Sequence, residues 1–306
     1  MKKKILAIQG SSLKRINIKT DTSFFLGLEA QKRNYDIYYY EPKDLSFIDG
    51  KVTAKCSQVK FKNNIKYPVK IIKKISLKLI EAKLILIRNE PPFNQQYINT
   101  TFILEHISKR VKIINNPRAL REVPEKLFSL RLTNFMPSTL ISEDLEEIKR
   151  FFIKNNKVII KPIDNYSGND VKLLSKFNKP QISKYIKKYN HLMFQKFIPQ
   201  IFKGDKRIFI IDGKIKGVIS RIPKEGSILS NMSKGASAKK IKITSHELKI
   251  SKIVARELKK ENIYFAGIDF IKGKLIGDIN VTSPTGLKTY YDLTGINLAE
   301  YFFDNI

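Results

Sequence analysis

GIDF at 267–270 and DINVTSPT at 278–285 place three oxygen-bearing side chains, Asp269, Asp278 and Asn280, on what read as two antiparallel strands. Side chains two apart in an extended chain leave the same face, so Asp278 and Asn280 point the same way. Asp269 joins them if residues 272–275 form a four-residue loop, because Ile271 then opposes Ile276 and Asp269 opposes Asp278. A two-residue turn at Lys272 and Gly273 breaks that register. Two carboxylates and an amide oxygen suit Mg²⁺, which takes hard oxygen ligands and keeps room for water and phosphate. The same residues also suit a solvated strand end, since Asp and Asn gather near turns.

Outward from these strands, the second half of the chain is a run of short strands. VIIKP at 158–162, VKLL at 171–174, HLMFQKF at 191–197 and RIFIIDGKIKGVIS at 207–220 alternate with turn signals such as Asp212-Gly213. Helices are indicated at 181–188 and 245–260. This pattern predicts an α+β region with antiparallel sheets. The first half differs. Strands at 5–9, 36–40, 83–88 and 111–114 alternate with helices, one capped by Asp21, Thr22 or Ser23 and one carrying Ile98, Phe102, Ile103, His106 and Ile107 on a single face. An α/β lobe over residues 1–122 follows, and on that apolar face His106 reads as a core histidine.

The chain has 306 residues, enough for two or three lobes, and 58 basic against 28 acidic residues give a net charge of +30. Such a charge favours anionic partners. Yet the densest clusters, KIIKKISLK at 70–78 and SKYIKKY at 183–189, interleave with apolar residues as amphipathic helices do, and no basic arm or RNP-like motif is present. A general preference for lysine explains the charge without nucleic acid. Cys56 is the only cysteine, in what reads as a turn region without a histidine partner, which excludes an internal disulfide and fits a reducing cytosol. The apolar run after the N-terminal lysines is too short for a signal peptide, and no segment reaches the length of a membrane span, so a cytoplasmic protein is expected.

Phosphate chemistry needs cations and backbone donors around developing charge. Lys126 opens KLFSLRL, which reads as a helix, and Lys161 ends the strand VIIK; each could direct an ammonium group into a cleft. Asp205 and Arg207 lie in GDKR at a strand entrance, where an arginine can hold a carboxylate or a phosphate. His106, His191 and His246 stand in no metal-ligand spacing. A GxxxxGK[ST] loop and a GxSxG elbow are both absent.

Taken in order, INIKTDTSFFLGLEAQKR, IRNEPPFN, EKLF, VIIKP, GDKR and DINVTSPTG resemble bacterial glutathione synthetase over nearly the whole chain. The resemblance implies an ATP-grasp fold in which lobes clasp ATP: an α/β N-terminal domain at 1–122, a central lid subdomain at 123–198 and a C-terminal subdomain at 199–306. It implies that ATP phosphorylates the C-terminal carboxylate of γ-glutamylcysteine and that glycine attacks the acyl phosphate. By position, Lys126 and Lys161 would hold ATP phosphates, and Gln195, Lys196, Phe197 and Ile198 would meet adenine. Asp205 would orient the nucleotide, and Arg207 would stabilise the acyl phosphate or a substrate carboxylate. Asp269, Asp278 and Asn280 would bind two Mg²⁺ ions, with Mn²⁺ as a substitute, while Ser283, Pro284 and Thr285 would line the peptide site. Family members are often tetramers.

The sequence departs from the family pattern at its mobile loops. Where a glycine-rich GxGG loop is usual it reads Asn165-Tyr166-Ser167-Gly168, which predicts a stiffer lid. In the loop at 229–238, Leu229 and Ser230 replace an arginine and a glycine, leaving Lys234 as a candidate cation. Asp278 stands where the family has glutamate. These departures keep two alternatives open: a ligase of changed specificity and an impaired nucleotide-binding paralogue.

Overall fold

The computed structural model describes residues 4–306; Met1, Lys2 and Lys3 of the basic N-terminus lie outside them. The first sheet contains β1 (Lys4–Gln9), β2 (Tyr35–Tyr40), β3 (Leu45–Ile48), β4 (Lys51–Phe61), β5 (Val69–Lys78), β6 (Leu84–Ile87) and β7 (Lys112–Ile114). Its order is β3-β4-β2-β1-β6-β7, and β5, off this path, also pairs with β4. β1 lies parallel to β2 and β6, and β6 lies parallel to β7. The run LILI of β6 is buried at every position, as expected of a central parallel strand covered on both faces. Helix α1 (Thr22–Lys32) starts where the Asp21 carboxylate accepts the Phe24 N–H, and it buries Phe24 and Leu26. Helices α2 (Gln95–Glu105) and α3 (Pro117–Glu122) complete this lobe.

Four local expectations change here. KIIKKISLK is strand β5 and not a helix: Ile71, Ile72 and Ile75 are β-branched, β4 supplies antiparallel partners, and the lysines blunt an exposed edge. Cys56 lies inside β4 rather than in a turn, 2% exposed, and burial pushes its thiol up to about 12. His106 is exposed and stacks on Phe47 at 4.7 Å. The face of α2 turned inward carries Tyr97, Thr100, Thr101 and Leu104, because both threonine hydroxyls bond carbonyls of their own helix and so bury cheaply. After Lys126, KLFSLRL forms 3₁₀ turns kinked at Leu132 rather than an α-helix.

The second sheet is antiparallel, ordered β10-β9-β11-β8, from β8 (Thr139–Ser142), β9 (Val158–Pro162), β10 (Lys172–Leu174) and β11 (Leu192–Lys196). Helices α4 (Leu145–Asn155) and α5 (Lys179–Tyr189) cover one face through Ile148, Phe152 and Ile182. The third sheet is ordered β14-β13-β12-β15-β16, from β12 (Asp205–Ile211), β13 (Lys214–Ile222), β14 (Ser237–Lys240), β15 (Phe265–Ile271) and β16 (Lys274–Asn280). Helices α6 (Ser245–Lys260), α7 (Leu287–Thr294) and α8 (Leu298–Asp304) follow in the chain. Among the described residues, no helix is long and apolar enough to cross a membrane.

The β15–β16 connection is the tight turn, with Ile271 opposite Lys274 and both Lys272 and Gly273 at positive φ. The register is nevertheless restored further along. Between Phe270↔Leu275 and Ile268↔Ile279, the residues Ile276, Gly277 and Asp278 stand opposite Asp269 alone. The extra residues are absorbed in a bulge, at Gly277 with φ 81°, instead of in the loop. Gly267 then pairs with Asn280, which is the alignment that brings Asp269 level with Asp278.

Single polar side chains tie the first lobe, and the segment just after it, to the third sheet and the chain that follows β16. Asn115 donates to the carbonyls of Phe265 and Val281 at 2.8 and 2.6 Å and accepts the N–H groups of Tyr264 and Phe265. Glu125 accepts the N–H groups of Val281 and Thr282 and the Thr282 hydroxyl. The segment after β16 is thereby fixed by its backbone.

Candidate active site

Between the second and third sheets lies a cavity of ≈ 960 Å³, counted with its mouth. Lys126, Lys161, Gln195, Lys196, Phe197, Ile198, Asp205, Arg207, Asp269, Asp278 and Asn280 all line it; Ser283, Pro284 and Thr285 do not. Its apolar part combines Pro137, Ile159, Phe197, Ile198, Ile201 and Ile271. Gln195 is held by a bond to Thr139 Oγ1, and the N–H groups of Lys196 and Phe197 donate to Ser138 and Lys157.

The opposite wall is ionic. Arg207 grips Asp269 with Nε on Oδ1 at 2.5 Å and Nη2 on Oδ2 at 2.7 Å. Arg221 grips Asp205 in the same bidentate manner and reaches Asp269 Oδ2 at 3.0 Å. All four residues are at most 5% exposed. Neighbouring strands produce the grouping, since Asp205 pairs with Arg221 across β12–β13, and Arg207 with Asp269 across β12–β15. Burial raises the Asp269 carboxyl, but Arg207 and Arg221 outweigh it and hold the group at about 2. For Asp205 burial prevails over Arg221, and its carboxyl is raised.

The two lysines enter from the other side. Lys126 Nζ donates to the carbonyls of Ile163 and Asn165 at 3.2 and 2.5 Å, and Lys161 Nζ donates to Ile276 O at 2.8 Å and Asp278 Oδ2 at 3.1 Å. An ammonium carries three donors, so each lysine keeps one for a ligand.

Similar accounting tests the metal set. Asp269 Oδ2 receives Arg207, Arg221 and Asn280, whereas Oδ1 receives only Arg207 Nε. Asp278 uses Oδ2 for Lys161, and all three hydrogen bonds of Asn280 use Nδ2. Asp269 Oδ1, Asp278 Oδ1 and Asn280 Oδ1 therefore retain acceptor capacity, and this hard oxygen set fits Mg²⁺. Among the described residues, no group of three or more His, Cys, Asp or Glu side chains is arranged for a metal.

Ser283, Pro284 and Thr285 form a strip beside the cavity. Ser283 Oγ donates to Arg88 O, Arg88 Nη2 donates to Pro284 O at 2.8 Å, and Arg207 Nη1 reaches Thr285 O at 3.5 Å. Arg88 is buried, and that burial pulls its guanidinium down to about 10.

Two loops cover the opening. In the first, Ser167, Gly168 and Asp170 all have positive φ, and Asp170 is tied to Tyr189 and Lys188. The glycine-poor sequence thus keeps left-handed backbone at residues for which it is costly. In the second, Ser230 Oγ donates to Asp205 Oδ2 at 2.5 Å, and the Leu229 side chain lies against Gly168. Lys234 is exposed and does not line the cavity, so it does not supply the missing cation here.

Arg221, Arg88, Glu125 and Ser230 carry much of this geometry and were not singled out as site residues from sequence. For Arg221 a signal exists: Asp205 and Arg221 are nearly equidistant from the turn at Asp212-Gly213. For the others the partners are 25 to 196 residues apart and give no local pattern.

The prokaryotic glutathione synthetase N-terminal domain matches residues 5–121, and the prokaryotic glutathione synthetase ATP-grasp domain matches residues 125–295. Glutathione synthetase of Mesorhizobium japonicum is 34% identical over 311 residues, covering 100% of this chain and 98% of the relative. Glutathione synthetase of Buchnera aphidicola subsp. Schizaphis graminum is 37% identical, covering 98% and 97%. Among solved structures, the ATP-grasp ligase PsnB, complexed with a precursor variant, Mg and ADP, superimposes with a TM-score of 0.63 at 15% identity, covering 98% of this chain and 96% of that one. The chain belongs to the prokaryotic glutathione synthetase family, ATP-dependent ligases of the ATP-grasp fold that form C–N bonds.

Proposed function

We propose that the protein joins the C-terminal carboxylate of γ-glutamylcysteine to the amine of glycine through an acyl phosphate made from ATP. The observation that carries this reading is one cavity lined by Lys126, Lys161, Arg207, Asp269, Asp278 and Asn280. Adenine would occupy the apolar slot at Gln195–Ile198. Lys126 and Lys161 would each give the third ammonium donor to phosphate oxygens. Asp269, Asp278 and Asn280 would hold Mg²⁺, two ions by family resemblance, with Mn²⁺ as an alternative of similar ligand preference. Bound there, the metal neutralises phosphate charge. Arg207, fixed by Asp269, would meet the acyl phosphate, while the Ser283–Thr285 strip would border the peptide. Asp205 would act on the nucleotide side through Arg221 and Ser230, since its oxygens already accept from both. The two loops would exclude water from an intermediate that water destroys.

The three sheets, whose strands fall within 4–114, 139–196 and 205–280, support a division at residues 122 and 198. The only thiol is unpaired and buried, which supports a reducing cytoplasm, and a homo-oligomer, a tetramer by family resemblance, belongs to the same reading.

Purified protein given ATP, Mg²⁺, γ-glutamylcysteine and glycine is expected to release ADP and phosphate only when all four are present. Tight ATP binding without turnover would replace this reading with the impaired paralogue. Leu229 and Ser230 in the second loop favour one further reading, a changed peptide or amine, which turnover with a different acceptor would establish.

A further inference from the structure

Asp278 and Asn280 stand on a strand that its own sheet holds only in part. β16 is the outermost strand of the third sheet. Its pairing with β15 is interrupted opposite Asp269, resumes at Ile279 and Asn280, and ends there. Only two ladder positions therefore follow the bulge. An edge strand also turns its outer N–H and C=O groups toward whatever lies beside it, so that neighbour shares in fixing its course.

Beside this edge lies Glu125. Its main-chain carbonyl accepts the Ile279 N–H at 3.2 Å. Its side-chain Oε1 accepts the Val281 N–H at 2.9 Å, the Thr282 N–H at 3.1 Å and the Thr282 hydroxyl at 2.8 Å. One residue thereby holds the backbone on both sides of Asn280. Val281 and Thr282 are 0% and 4% exposed and lie past the end of the ladder. Among the described residues, the Glu125 carboxylate is the only partner of their N–H groups, which buried backbone donors require. Glu125 itself lines the ATP cavity. The 3₁₀ turns that follow it rest on the bulge, since a Cβ built on Gly277 would come 3.0 Å from Met136 Cε and 3.4 Å from Ser129 Oγ.

We propose that Glu125 is a positioning residue of the metal platform: its carboxylate fixes the end of β16 and so aims the Asn280 side chain, beside Asp269 and Asp278, at the cation. The proposal rests on the ligase reading for the metal-nucleotide complex that the platform receives. Groups that orient metal ligands from behind typically change metal affinity by about 10–100-fold when removed. Here the orienting group works by reach, because a single oxygen must meet three donors at once. Glutamine keeps that reach and an acceptor oxygen but loses the charge, whereas aspartate keeps the charge and is one methylene too short.

The test titrates Mn²⁺ into the full chain with ADP held below the protein concentration, and reads free Mn²⁺ by electron paramagnetic resonance. Glu125→Ala should weaken Mn²⁺ uptake by about 10–100-fold. Glu125→Gln should retain more of the wild-type affinity than Glu125→Asp. Thr282→Val, which removes the hydroxyl bond and spares both N–H bonds, should have a smaller effect than Glu125→Ala. ADP binding in the presence of EDTA should stay as in wild type for the glutamine and aspartate variants. Thermal unfolding of each variant separates this role from a merely structural one, which would lower the midpoint and leave the Mn²⁺ affinity of the folded protein unchanged. Such unchanged affinity in Glu125→Asp, a better retention by aspartate than by glutamine, or no Mn²⁺ uptake by wild type would overturn the proposal. Uptake that follows the expected order, without ADP release from ATP in the presence of γ-glutamylcysteine and glycine, would instead overturn the ligase reading and leave the role of Glu125 standing.

Discussion

On the strand side of the ATP cavity Arg207–Asp269 and Arg221–Asp205 stand in bidentate pairs; on the loop side Leu229 rests on Gly168. The first side is fixed by backbone register, because each pair sits on adjacent strands whose hydrogen bonds are already made. The second is held by left-handed turn positions, the Leu229 contact and single side-chain hydrogen bonds, such as Ser230 to Asp205 and Asp170 to Tyr189. Electrostatic stabilisation of transferring phosphate depends on groups that do not reorganise, whereas access and release depend on groups that do. The cavity thus has its paired carboxylates and arginines on the sheet and the two loops as its cover.

The sharpest way to break that contrast is to remove Arg221. In Arg221→Met the buried Asp205 keeps only the Ser230 hydroxyl as a side-chain donor, and Asp269 loses one of its two arginines. Breaking a buried ion pair by removing one partner costs about 3–5 kcal/mol. Urea unfolding should show a loss of this size, together with collapse of ligase turnover. A loss below about 1 kcal/mol would mean that the strand side is not held by its ion pairs.

Next in size is Asp278→Asn. Asp278 is at the margin between the two sides, with a side chain 28% exposed and one ion pair, to Lys161 at 3.1 Å. Turnover should fall by at least about two orders of magnitude, as expected when a phosphate-bridging cation is lost. The unfolding midpoint should move little, since Lys161 keeps its bond to Ile276 O and the asparagine amide oxygen can still accept from it. Near-normal turnover in ADP-release assays would remove Asp278 from the metal set; a large stability loss would place it with the structural pairs.

The same division explains what the sequence made legible. The period of two that put Asp278 and Asn280 on one face survives in β16, and the Asp212-Gly213 turn correctly brackets β12 and β13. The alignment of Asp269 with Asp278 was reached through the wrong device, a longer loop in place of a bulge, because local periodicity does not reveal where an extra residue is absorbed. KIIKKISLK misled for a related reason: its lysines mimic an amphipathic helix, and only pairing with β4 decides for a strand. Arg88, Glu125 and Asn115 stayed invisible because they act across the fold, on backbone groups far away in sequence. In the loops, composition indicated a departure from the family, yet whether Lys234 replaces the lost arginine depends on chain direction, and it points to solvent.

The smallest effects should come from the lid, and there neighbouring positions should differ in sign. Gly168 has φ 70°, and a Cβ built on it would lie 2.8 Å from Asn231 Oδ1 and 2.9 Å from Leu229 Cδ2. Gly168→Ala therefore meets both backbone strain and the facing loop, together about 1–3 kcal/mol, and should raise the KM for ATP by about tenfold or more. Adding Leu229→Ala should recover part of that rise by removing the apolar half of the clash. Ser167, at φ 54°, already bears the left-handed strain, so Ser167→Gly relieves it and should leave the KM for ATP unchanged or slightly lower. Steady-state ADP release at varied ATP distinguishes these outcomes. If both substitutions raise the KM equally, the lid is sensitive to any change in its sequence, and its closure is not governed by the Gly168–Leu229 contact. Opposite directions would mean that the loop side is set by one left-handed position and one leucine, while the ion pairs beneath it stay as they are.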